Sequence, residues 1–125
     1  MKFKENNSIY LQIADRISDE ILQGRYEEES RIPSVREYAA LVEVNTNTAL
    51  RAFDLLQQQE VIYNRRGIGY FVSKGARKSI LSARKSAFMK TELPEFFHQI
   101  QALGIPFEKI EERYRDFEQK QNINS

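Results

Sequence analysis

The first sixty residues carry three apolar stripes at helical spacing, separated by short polar breaks. Side chains three or four positions apart share one face of an α-helix, so each stripe predicts an amphipathic helix. The first helix follows Ser8, a candidate N-cap, and ends before Gly24. Its predicted inward face consists of four isoleucines: Ile9, Ile13, Ile17 and Ile21.

The second helix is predicted from the segment IPSVRE, residues 32–37. Ser34 and Glu37 have the spacing of a capping box, in which each side chain accepts a hydrogen bond from the other residue's backbone N–H. Between the first two helices, the polar segment 25–31 contains three consecutive glutamates. We expect this segment to be a solvated turn, with a metal site as the less favoured alternative.

A third helix starts almost at once, in the stretch VNTNTALRAF of residues 44–53. Because Asn45 is itself a good N-cap, the gap is too short for antiparallel packing, which predicts the steep crossing of a helix-turn-helix. The apolar stripe of this helix is Ala49, Ala52, Phe53 and Leu56. The opposite face carries polar residues: Asn47, Arg51, Asp54 and Gln58.

After Glu60 the apolar residues occur in two short runs, VIY at 61–63 and YFV at 70–72. They flank the segment NRRGIG and predict a two-stranded hairpin with Arg65 and Arg66 beside its turn. Gly67 and Gly69 allow the positive φ values that a tight connection needs.

The remaining residues predict three more helices. The first is basic and covers residues 74–90. Thr91 is a candidate N-cap for the next helix, which holds Pro94 in its first turn and ends at Gly104 and Pro106. The last helix follows, so the two C-terminal helices are expected to form an apolar helical hairpin.

Composition limits the class of protein. The 125 residues are 41% hydrophobic and 30% charged, which suits one water-soluble globular domain with a short appendage. The chain has no cysteine, no signal peptide and no apolar run long enough to span a bilayer. We therefore expect a cytoplasmic protein without disulfides and without membrane association.

The net charge is only +1, but its distribution is uneven. Residues 61–91 hold eight lysines and arginines and no acidic residue. Such a stretch is a plausible phosphate-facing surface, although a solvated charged helix would also explain it.

Catalysis finds no support in the sequence. His98 is the single histidine and has no candidate triad partners. A phosphate-binding glycine loop and a cluster with metal-ligand spacing are both absent from the sequence. We expect no enzymatic activity, no metal and no cofactor.

The predicted fold is mainly α with a small β-wing, because a helix, a helix-turn-helix and a two-stranded wing together make a winged helix. In that architecture the N-terminal residues of the second helix of the turn motif reach base edges in the major groove. Asparagine suits adenine, arginine suits guanine, and wing arginines contact phosphates or the minor groove. Two alternatives stay open. One is a winged-helix protein-interaction module without a DNA role. The other is that Asn45 is only a cap and Thr46 to Thr48 are solvent-exposed residues without a function.

The stretch IPSVREYAALVEVNTNTALRAFDLLQQQEVIYNRRGIGYFV resembles the GntR family of bacterial transcription regulators. The first helix IYLQIADRI and the short helical C-terminus are similar to its YtrA-like subfamily in particular. The resemblance implies a transcriptional regulator that binds a specific sequence of double-stranded DNA. Its candidate DNA contacts are Ser34, Arg36, Asn45, Thr46, Asn47, Thr48, Arg51, Arg65, Arg66 and Gly67.

Three positions depart from the family pattern. Ile32 replaces a leucine, which is harmless, and Thr46 stands where the subfamily often has proline. Glu60 stands where a glycine usually ends the recognition helix. If the backbone there is left-handed, glutamate costs about 1 kcal/mol.

We assign residues 1–73 to the winged helix-turn-helix and residues 74–125 to a helical dimerisation region. The second part is too short to enclose a drug-sized pocket of about 300 Å³, so an effector is not required. Its aromatic surface suggests a dimer interface, and packing inside the protomer against the first helix is the alternative. We expect a homodimer that binds an inverted-repeat operator and acts as a repressor. Candidate interface residues are Phe96, Phe97, Ile100, Phe107, Ile110 and Tyr114.

Overall fold

The computed structural model describes residues 8–124, with side chains through residue 122. The outer ends of both predicted domains, residues 1–7 and 125, lie outside it. The elements in chain order are α1 (Ile9–Leu22), α2 (Val35–Val42), α3 (Thr46–Gln58), β1 (Ile62–Arg65), β2 (Gly69–Val72), α4 (Ala76–Ala87), a π-helical turn (Phe88–Glu92), α5 (Leu93–Ala102) and α6 (Phe107–Asn124). The predicted mainly helical fold with a β-wing is confirmed.

The chain divides into two compact units, the first ending at Ala83 and the second beginning at Arg84. The core of the first unit surrounds Phe53 of α3, whose ring meets Tyr38 of α2 and Tyr70 of β2 edge-on, at centroid distances of 6.1 and 4.9 Å. The three later isoleucines of α1 are fully buried, but Ile9 is exposed. The apolar stripe predicted for α1 therefore begins one turn later than expected.

A buried polar contact fixes α2 on α1. The hydroxyl of Tyr38 donates a hydrogen bond to Oε1 of Glu20 at 2.5 Å, and both side chains are buried. Arg25 places its Nη1 3.2 Å from the other oxygen of this carboxylate. Burial raises the pKa of Tyr38, and the hydrogen bond to Glu20 raises it further. The tyrosine thus stays protonated and remains the hydrogen-bond donor in this contact.

The N-caps of α2 and α3 form as the sequence predicts. Ser34 Oγ accepts from Glu37 N at 3.1 Å, and Glu37 Oε1 accepts from Ser34 N at 3.0 Å, so the capping box is confirmed. Asn45 Oδ1 accepts from Asn47 N at 2.8 Å at the start of α3. Ser8 occupies the N-cap of α1, but its side chain makes no capping hydrogen bond.

The wing is an antiparallel hairpin that pairs Ile62 with Val72 at its base and Arg65 with Gly69 at its tip. The segment before α2 lies beside β2: Glu29 N donates to Val72 O at 2.8 Å, and Ile32 N donates to Tyr70 O at 3.0 Å. The prediction of a solvated turn for this segment is correct only in part, since residues 28–29 form a turn and Glu27 and Glu29 are exposed, but the segment also pairs with the sheet. Its backbone completes the wing because β2 has a free edge to pair with.

Glu28, from the same segment, binds the start of α4. Its Oε1 accepts from Gly75 N at 2.7 Å and its Oε2 accepts from Arg77 N at 3.3 Å. Arg77 in turn donates from Nη1 to the carbonyl of Ile21 at 3.0 Å. Since Ala76 and Ile80 are buried in the first unit, α4 starts as part of the winged helix.

The second unit holds the end of α4, the π-helical turn, α5 and α6. Thr91 lies inside the π-helical turn, so its predicted role as the N-cap of α5 is wrong. The break between α5 and α6 is confirmed, with Gly104 at φ 67°. Among the described residues, no helix is both long and apolar enough to cross a membrane.

The end of α3 offers a stability test. Glu60 adopts φ 61°, the left-handed geometry that glycine usually supplies, and its side chain is exposed. Glu60→Gly is expected to raise the free energy of unfolding by about 0.5–1 kcal/mol, because glycine removes the strain at a modest entropic cost. Urea unfolding of the full chain measures this change.

Gly24→Ala is the matched control for this substitution. Gly24 has φ 85°, and a methyl group added to its Cα would meet open space, so alanine adds strain there without a steric clash. We expect this variant to lose about 1 kcal/mol of unfolding free energy. A less stable Glu60→Gly variant would mean that the glutamate side chain contributes more than the strain costs.

Candidate nucleic-acid interface

The N-terminal turn of α3 presents a polar surface. Thr46 and Asn47 are exposed and Thr48 is half-buried, while Ala49 marks the start of the buried face. Asn45 is exposed too, but its side-chain oxygen already accepts the capping hydrogen bond. Its amide NH₂ group and the second lone pair of that oxygen remain for a ligand.

Arg51 lies one turn further along the exposed face of α3. Its guanidinium carbon is 4.2 Å from the centroid of the Tyr10 ring in α1, within the range of a cation–π contact. An open cleft of about 330 Å³ runs between the two helices. Its lining residues are Ser8, Ile9, Tyr10, Asn47, Thr48 and Arg51.

Two predicted contacts come from the start of α2. Arg36 is exposed in its first turn. Ser34 is half-buried, and its hydroxyl is engaged in the capping box.

The backbone N–H and the hydroxyl of Ser34 hold the pKa of the Glu37 carboxyl below its usual range. The box therefore contributes to stability at neutral pH and is lost only as the pH falls through that lowered pKa.

The tip of the wing carries Arg65, Arg66 and Gly67, all exposed. Gly67 has φ 80°, which a tight turn requires. Arg65 lies beside Phe71, with its guanidinium carbon 5.2 Å from the ring centroid. These arginines are thus presented on a short, sheet-supported tip.

Sequence reasoning missed a further arginine at the wing. The side chain of Arg31 passes over Gly69, where an added Cβ would lie 2.9 Å from Arg31 Nε. Arg31 is exposed and its backbone bridges to Phe71. Gly69 in the sequence was the available signal, since glycine in a strand often marks a close approach.

The structure gathers Asn47, Thr48 and Arg51 around one cleft and places Arg65 and Arg66 together on the wing. His98 lies exposed on α5. Within residues 8–124 there is no group of three or more potential metal ligands.

Comparison with known proteins points to one family. The profile of the bacterial regulatory proteins of the gntR family matches residues 9–72. The HTH-type regulator YhcF of Bacillus subtilis is 31% identical over 93% of this chain and 94% of its own length. The transcriptional repressor YtrA of the same organism is 28% identical over 87% of this chain and 83% of its length.

Solved structures agree with the sequence matches. A crystal structure from Bacteroides thetaiotaomicron, described as a transcriptional regulator of the GntR family, is 57% identical to this chain. Its TM-score is 0.82, and the match covers 91% of this chain and 99% of its own. YtrA from Sulfolobus acidocaldarius, a GntR-family transcription factor, is 26% identical, with a TM-score of 0.55 over 72% of this chain and 95% of its own.

Proposed function

The chain belongs to the GntR family of bacterial regulatory proteins, and from this premise we propose that it is a transcriptional repressor that binds an inverted-repeat operator as a homodimer. The family consists of transcriptional regulators with a DNA-binding winged helix, not of enzymes. The resemblance seen in the sequence is correct at this level.

The observation that carries the proposal is the polar face of α3. Asn47, Thr48 and Arg51 surround one cleft near the N-terminus of this helix, the part of a recognition helix that reaches base edges. Amide, hydroxyl and guanidinium groups match the donors and acceptors of the major groove. A protein-docking module would have no need of this set beside the exposed arginines of the wing.

The homodimer is supported by the apolar side chains of the second unit. Phe97 is 43% exposed, Phe107 57% and Tyr114 58%, and no residue from 84 to 122 is buried. Ile100 and Ile110 are half-buried. A set of large apolar side chains that one chain leaves in water favours a second copy as its cover. Further members of the set are Phe88, Met89, Phe96, Leu103 and Phe117.

Repression is proposed from the relatives. The B. subtilis YtrA protein, which aligns over most of this chain, is named a transcriptional repressor. A bound repressor needs no second activity, because occupancy of the operator itself blocks access to the DNA.

The salt dependence of DNA binding tests the role of the wing. If Arg66 neutralises one phosphate, Arg66→Ala is expected to weaken specific and non-specific binding alike and to reduce the log–log salt slope by about 0.9. Titrations of labelled duplex DNA at several salt concentrations measure this slope for the full-length dimer. The value of about 0.9 holds for each bound wing, so a dimer with both wings on DNA should show a reduction of about 1.8.

Lys120→Ala, which removes an exposed charge near the end of α6, is the matched control and should leave the slope unchanged. An unchanged slope for Arg66→Ala, with a shifted preference at an A·T-rich flank, would contradict the phosphate contact. That result would assign the arginine to the minor groove instead.

A further inference from the structure

We propose that Tyr10 of α1 is a positioning residue for DNA recognition, because its ring holds the guanidinium of Arg51 at the recognition cleft. This inference rests on the proposed function. The central observation is the 4.2 Å separation between the guanidinium carbon of Arg51 and the centroid of the Tyr10 ring. The first turn of α1 thereby becomes part of the recognition surface.

The ring is held by the fold. Tyr10 is half-buried and packs against the hydrophobic core of the first unit. Its neighbour Ile9 is exposed and lines the same cleft. A tyrosine has few rotatable bonds, so a ring anchored in this way presents a fixed surface at a small entropic cost.

The contact with Tyr10 restricts the orientation of the Arg51 guanidinium. Arg51 is exposed on α3, and a long exposed side chain loses rotamer freedom whenever it binds. A cation–π contact restricts the guanidinium in advance and does so without an acidic partner, which would occupy two of its five N–H donors. The donor fork stays available for a guanine edge or a phosphate.

The cleft supplies the setting for that contact. Asn47 and Thr48 line it beside Arg51, and Ser8 and Tyr10 close its α1 side. Amide, hydroxyl and guanidinium groups therefore converge on one space of about 330 Å³ at the start of the recognition helix. This composition fits a nucleotide of the bound DNA, whose base edge and backbone both offer hydrogen-bond acceptors.

A double-mutant cycle on the full-length chain tests the inference, with the duplex that wild-type protein selects from a random pool as the probe. Tyr10→Leu is expected to weaken binding about 2- to 5-fold, which corresponds to one exposed cation–π contact. It should also relax base preference at the position Arg51 reads. Tyr10→Phe and Tyr10→Trp keep a ring and should bind like wild type.

The cycle separates positioning from simple packing. In the Arg51→Ala background, Tyr10→Leu should cause no further loss, because the side chain it positions is gone. Melting temperatures show whether each variant is folded at the assay temperature. If Tyr10→Leu is not, Tyr10→Met provides a flexible apolar replacement of similar reach.

Each result has a defined meaning. Additive losses in the double variant, or a Tyr10→Phe variant as weak as Tyr10→Leu, would overturn the positioning role of the ring. If Arg51→Ala weakens binding but Tyr10→Leu and Tyr10→Met do not, this inference fails and the proposed function stands. If wild-type protein selects no sequence, the proposed function fails and this inference falls with it.

Discussion

Phe97→Glu is expected to convert the full-length protein to a monomer and to weaken operator binding by at least about a hundred-fold. Phe97 is 43% exposed in the single chain, so a carboxylate at this position can reach water in the monomer, and the melting temperature checks that the variant is folded. In the proposed homodimer it buries an unpaired carboxylate among phenylalanines, which is strongly unfavourable. Loss of the dimer then removes the gain from joining two half-site contacts, typically about 10²–10⁴.

Sedimentation at micromolar concentration measures the assembly, and titration of operator DNA measures the binding. Gln101→Glu adds the same charge on α5 at an exposed polar position and serves as the matched control. A Phe97→Glu protein that still dimerises would remove the C-terminal helices from this role.

Truncation gives an independent view of the same interface. Because Ala76 and Ile80 are core residues of the first unit, a cut after Gly75 would open that core. A cut after Ala83 ends the chain where the first compact unit ends. We expect this shortened chain to be a folded monomer with weak operator binding.

Arg51→Ala and Asn47→Ala are each expected to reduce specific binding by about 5- to 150-fold, or about 1–3 kcal/mol. Both residues are exposed and border the cleft at the start of α3, so each variant should remain folded at the assay temperature. A side chain that bonds a base edge discriminates between bases, and its loss is therefore larger on operator DNA than on random DNA.

Gln58→Ala is the control for these variants, since Gln58 is exposed on α3 but lies at its C-terminal end, away from the groove-reading turn. It should bind like wild type. Well-folded Arg51→Ala and Asn47→Ala proteins with unchanged operator affinity would contradict the assignment of the recognition surface.

The winged-helix order was predictable from the sequence because its signals are local. The Ser34–Glu37 box and the Asn45 cap depend on residues two or three positions apart, so sequence spacing alone locates the starts of α2 and α3. The left-handed backbone at Glu60 was indicated only by the family resemblance, which has a glycine at this position, and the structure gives φ 61° there.

Contacts between distant segments were not predictable in this way. Glu28 looked like one of three solvated glutamates, yet it binds the start of α4, nearly fifty residues later. The Tyr10–Arg51 contact joins two helices whose packing angle no local spacing specifies. Thr91 has the chemistry of a cap, but the backbone stays helical through it and leaves no helix end to cap.

Selection of bound DNA from a random duplex pool by the full-length protein tests the central claim most directly. Two copies related by a two-fold axis should enrich an inverted repeat whose half-sites lie about one helical turn, roughly 34 Å, apart. The same selection with Phe97→Glu protein should lose this symmetry. A pool without any enriched sequence, or a single unsymmetric site bound by one copy of the wild-type chain, would contradict the account.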